Sequence, residues 1–64
     1  DSEEGVRREI EDALYDSYKK NVKKARKAER AEALHEWKEE ARSELEGYMT
    51  SAEIEAFINK VAVD

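Results

Sequence analysis

The residues whose types most invite chemistry lie in one stretch, ALHEWKEE, residues 33–40. His35 and Glu39 stand four apart on one face of a helix, with Glu32 and Glu36 nearby, and such a pair can hold a metal ion. The zinc-protease pattern H-E-x-x-H requires a second histidine where this chain has Glu39. One His and no Cys cannot close a structural zinc site. The stripe Glu32, His35, Glu39 and Glu46 lies opposite Trp37, so it reads as a solvent face and no metal is expected.

Catalytic candidates are equally sparse. Ser2, Ser17, Ser43 and Ser51 have no His at a readable spacing, and Ser2 and Ser51 fit helix starts better. There is no Gly-rich phosphate loop, since the two glycines are Gly5 and Gly47. Carboxylate pairs such as Glu39 and Glu40 are plentiful, but no apolar surroundings are in sight to shift a pKa. A bundle of this size rarely encloses the ~300 Å³ of a ligand cleft. The expectation is a chain without catalytic residues, cofactor or metal, and therefore not an enzyme.

Charge is the strongest pattern. Residues 1–18 hold seven acids and two bases, residues 19–30 seven bases and Glu29, and residues 31–64 nine acids and three bases. On a straight helix Lys19, Lys23, Arg26, Lys27 and Arg30 share one face about 120° wide. A stripe of that kind suits phosphates, because each neutralised phosphate releases a counterion. Against this, both flanks are acidic, no aromatic lies within 19–30 for stacking, and no nucleic-acid-binding signature is present. The simpler reading is a solvated segment whose first partners are the chain's own carboxylates.

The elements that must position these groups are helical. Ala, Glu, Lys and Arg dominate residues 3–46, and no β-type alternation appears. With 64 residues and 45% charged, the chain can form one small all-α domain spanning 1–64, with a marginal core. The longest uncharged run, Gly47 to Ala52, is far short of the ~20 residues that cross a bilayer, so no membrane partner is expected. Without Cys or a signal-peptide pattern, a natural version would be soluble and cytoplasmic. The opening Asp1 is compatible with a processed, trimmed or designed sequence.

The clearest boundary is EGYMTSAEIEAF. Gly47 is expected to take the left-handed conformation that closes a helix. Thr50 caps the next helix, Glu53 completes a capping box, and Met49 with Ile54 form a hydrophobic staple. At the other end Ser2 is the expected first cap. In the last helix, about 51–62, Ile54, Phe57, Ile58 and Val61 form one narrow stripe, and so short a helix must dock on something.

Two further stripes precede it. Val6, Ile10, Leu14 and Tyr18 make one; Leu34, Trp37, Ala41, Leu45 and Tyr48 make the other. On one straight helix they would point roughly 150–180° apart. Either the chain turns within 19–32, giving a three-helix bundle of about 3–18, 33–48 and 51–62, or 3–46 is one rod of about 65 Å whose core is completed in a swapped or otherwise oligomeric bundle. With no Gly or Pro in 19–32, and Asn21 the only residue there that easily visits the left-handed region, local propensity favours the rod. A turn centred near residue 31 would set Leu14 against Tyr48 and Tyr18 against Leu45, with Val6 and Ile10 reaching the last helix.

The functional expectation is a helical protein-interaction or self-assembly module, natural or engineered, with a protein partner or homo-oligomer. Its contact candidates are Leu14, Tyr15, Tyr18, Trp37, Leu45, Tyr48, Phe57 and Ile58. Of these Tyr15 alone falls off its apolar stripe, among acidic neighbours, and is expected to be exposed. The alternative is a nucleic-acid or anionic-polymer binder acting through Lys19, Lys23, Arg26, Lys27 and Arg30.

Overall fold

The computed structural model describes residues 2–62, Ser2 by its backbone alone. Three helical limbs pack into a three-helix bundle: α1 (Ser2–Ser17), continued by a π-helical segment (Tyr18–Lys23), then α2 (Lys27–Leu45) and α3 (Ser51–Val61). The bundle measures 41 × 19 × 18 Å.

The chain turns, and the rod over 3–46 does not form. The turn lies at Lys24–Arg26, nearer the N-terminus than a pivot at residue 31. It needs no left-handed residue, and among the described residues none has positive φ. Lys24 sits at φ −89°, ψ −4°, and Arg26 is extended at φ −64°, ψ 153°. Both conformations are open to any L-residue, so the lack of Gly and Pro was no obstacle. The Ala25 N–H donates to the Val22 carbonyl at 3.1 Å and tightens the bend. Asn21 remains helical, its side-chain amide donating to Ser17 Oγ.

The earlier turn shifts the pairing of the two stripes. Leu14 and Tyr18 lie against Trp37, not against Tyr48 and Leu45. Ile10 packs half-buried on the core, but Val6 is 40% exposed and Tyr48 42% exposed. The first limb therefore runs on to Lys23, and α2 both begins and ends earlier than 33–48.

The core is built from residues four apart: Leu14, Tyr18 and Val22; Trp37, Ala41 and Leu45; Ile54 and Ile58. In an α-helix a four-residue step overshoots a full turn by about 40°, so a long i, i+4 stripe drifts off its face. The wider π turn, bonded i to i+5, takes more residues to come round. It returns Val22, which is 1% exposed, to the face of Tyr18. Val22 is thus a central core residue that the basic sequence around it had concealed.

At the second turn Gly47 is not left-handed either. Instead the Leu45 carbonyl accepts both the Tyr48 and Met49 N–H groups, each at 2.9 Å, closing α2 by a tightened last turn. The capping box forms as expected: Glu53 N–H donates to Thr50 Oγ1 at 3.2 Å, and Thr50 N–H to Glu53 Oε1 at 3.0 Å. Met49 packs against the cluster that holds Ile54. Ser2, expected as a cap, is itself the first helical residue of α1.

Candidate interaction surfaces

Five of the eight proposed contact residues are spent on the fold. Leu14, Tyr18, Trp37, Leu45 and Ile58 are buried within one chain. Trp37 is held twice: its indole N–H donates to the Leu14 carbonyl at 2.8 Å, and its ring meets that of Tyr18 edge-on at 5.1 Å. Tyr15 (48% exposed), Tyr48 and the half-buried Phe57 remain accessible. Tyr15 and Phe57 come together, while Tyr48 stands apart at the second turn.

Tyr15 and Phe57 lie on opposite walls of a groove between α1 and α3. α3 packs chiefly on α2, so this seam is left open. Glu11, Asp12 and Tyr15 form the α1 wall; Phe57, Lys60 and Val61 form the α3 wall; the groove holds about 390 Å³. Glu11 is engaged by Arg7 at 3.3 Å. Among the described residues Asp12 and Lys60 have no ion-pair partner. One wall therefore carries a spare negative charge beside the Tyr15 ring, and the other a spare positive one beside Phe57 and Val61. Glu11, Asp12, Lys60 and Val61 were missed in the sequence. Their i, i+3 and i, i+4 spacings to Tyr15 and Phe57 carry the signal only once α1 is known to run beside α3.

The basic residues do not share one helical face. The turn splits them between the end of the first limb (Lys19, Lys20, Lys23), the bend (Lys24, Arg26) and the start of α2 (Lys27, Arg30). All seven are exposed and together form the tip of the hairpin. Lys19 lies over the Tyr15 ring at 4.7 Å, and Lys20 pairs with Asp16 at 3.1 Å. The Arg30 guanidinium reaches back toward the Lys23 and Ala25 carbonyls at 3.5 and 3.4 Å, long contacts that still place a cation at the negative end of the first helix.

The remaining polar features are structural or solvent-facing. Arg42 on α2 clasps Glu55 on α3 with contacts of 2.7 and 3.4 Å. That hydrogen bond holds the Glu55 carboxyl below its ordinary pKa and raises that of Arg42. The Thr50 backbone N–H does the same for the Glu53 carboxyl. His35 approaches Glu39 at 3.6 Å on the open surface, and no cluster of three metal-binding side chains occurs among the described residues. No helix among them is long and apolar enough to cross a membrane. Comparison with family models, curated proteins and solved structures finds no match to this chain, so the reading of its surfaces rests on their geometry.

Proposed function

We propose that the chain is a non-enzymatic helical assembly module that associates with a second copy of itself through the α1/α3 seam. The observation that carries this is the opposition of Asp12 and Lys60 on the two walls of the groove that Tyr15 and Phe57 line. A two-fold axis running along the groove lays the α1 wall of one copy over the α3 wall of the other. Each Asp12 then meets a Lys60, and the Tyr15 of each copy faces the Phe57 of the other. Such self-complementarity is what an isologous contact requires. The seam is small, so the association belongs to the weak class that buries less than about 1,200 Å².

Light scattering over a concentration series tests it. The mass should rise from the 7.4 kDa monomer toward twice that value. Asp12→Lys or Lys60→Glu alone should hold the chain monomeric, and the double exchange should restore association. A constant monomer mass overturns the reading, as does association that ignores both substitutions; in that second case the seam belongs to some other partner or to none.

A further inference from the structure

We infer that the hairpin tip is a second binding surface, independent of the seam, that takes the phosphate backbone of a nucleic-acid duplex. In a straight helix the acidic flanks bracket the basic block and repel a polyanion from both sides. Folding changes that geometry. α3 has 11 residues against 19 in α2, so it is about 12 Å shorter and runs back along only part of it. Its last residues lie at the level of Glu11 to Tyr15. The tip therefore projects beyond α3 as two helices only, while Glu3, Glu4 and Glu9 on α1, Glu44 near the end of α2 and Glu53 at the start of α3 lie toward the other end of a 41 Å molecule. Charges more than about 8 Å apart are largely screened at physiological salt. The tip acts as a cationic surface in its own right: residues 16–36 hold seven bases against Asp16, Glu29, Glu32 and Glu36, which gather beside Lys20 and Lys24 on one side of it.

Local chemistry at the bend argues that these charges are kept for a purpose other than folding. Arg26 occupies the N-cap of α2, where Ser, Thr, Asp or Asn is favoured, and makes no side-chain cap bond. Glu29 stands three residues on, so a Ser at 26 would complete the same capping box that Thr50 and Glu53 form. Lys27 then places a cation at the first position of α2, against the helix dipole. Among the described residues Lys24, Arg26 and Lys27 have no ion-pair partner, which leaves them available. Positions where a sequence breaks a local folding rule are the ones expected to serve function. No aromatic side chain lies within 19–30, so contact is with phosphates and insensitive to base sequence.

The test is fluorescence anisotropy of the whole chain with a labelled 20-base-pair DNA duplex between 50 and 200 mM salt. With about four phosphates neutralised, affinity should fall roughly a hundredfold across that range. Lys24→Glu with Lys27→Glu should weaken binding at least tenfold and flatten the salt dependence, with the circular dichroism spectrum unchanged. Arg26→Ser should move two readouts in opposite directions, raising the melting temperature while lowering DNA affinity. Asp12→Lys, which disrupts the seam, should not weaken DNA binding. No binding at 50 mM salt overturns the inference. So does binding that survives the Lys24/Lys27 exchange, or binding to phosphatidylserine vesicles but not to the duplex.

Discussion

The indole N–H of Trp37 reaches across the bundle to the backbone carbonyl of Leu14, 2.8 Å away and 23 residues earlier in the chain. A helix carbonyl has two lone pairs, and the one not used by the helix receives the indole. The bond ties the α2 register to the first limb at one fixed level. It also gives a buried N–H the partner it needs. The edge-on contact with Tyr18 adds a second restraint one turn further on.

Removing that donor should be felt globally. Trp37→Phe keeps an aromatic ring but loses the hydrogen bond and part of the volume, and should lower the unfolding free energy by about 2–3 kcal/mol. Val22→Ala should lower it by about 1.5–2.5 kcal/mol, although Val22 is flanked by Lys and Asn on the sequence. Tyr15→Ala, at an exposed site, should shift it by less than about 0.5 kcal/mol. Urea unfolding followed by circular dichroism separates the three. A neutral Val22→Ala would contradict the π-helical placement of that side chain.

Both glycines should accept alanine. Gly5 is helical, Gly47 has no positive φ, and a Cβ at either would meet no atom within 4 Å. Gly5→Ala should stabilise by about 0.5–1 kcal/mol through helix propensity and unfolded-state entropy. Gly47→Ala should be neutral or stabilising on the same grounds. A loss of about 1 kcal/mol or more at Gly47 would mean that its backbone is left-handed after all. Differential scanning calorimetry of the two variants decides this.

Acid should loosen the α2/α3 hairpin first. The Glu53 and Glu55 carboxyls sit below the usual 4.5 because the Thr50 backbone N–H and the Arg42 guanidinium favour their charged forms. A carboxyl with a depressed folded pKa binds fewer protons in the folded state than in the unfolded one. Its stabilising contribution is therefore complete above the ordinary glutamate value and disappears as pH falls through the lower, folded value. Stability should decline as pH falls below the ordinary glutamate value, and Glu53→Gln with Glu55→Gln should flatten that part of the profile. An unchanged acid slope in the double variant would assign the effect to other carboxylates.

Much of this fold could be read from residue spacing. The Thr50–Glu53 box and the Ile54–Ile58 stripe are local patterns, and local patterns survive into the structure. What escaped was set by long-range packing. The bend at Lys24–Arg26 uses ordinary dihedrals, so it left no Gly or Pro to mark it. The π segment changes the helical period, which is what brings Val22, set among lysines, to the core face. Moving the bend moved the register, exchanged Tyr48 for Trp37 as the partner of Leu14, and put Tyr48 on the surface. Tyr15 was recognisable as exposed because its neighbours are acidic and it falls off the apolar stripe. The partners it acquires in the seam, Lys60 and Val61, could be found only after α3 was placed beside α1.

The position of the bend carries everything else, and one substitution interrogates it. Lys27 is the first residue of α2, preceded by an extended Arg26 at φ −64°, ψ 153°. That is where proline fits a helix, and Arg26 already has the backbone that a residue before proline adopts. Lys27→Pro should therefore leave the unfolding free energy unchanged or raise it by about 0.4–1 kcal/mol, with the molecule still helical. If residues 3–46 were instead one continuous helix, the same proline would stand in its interior and cost about 3 kcal/mol or more. A loss of that size in urea unfolding contradicts the hairpin.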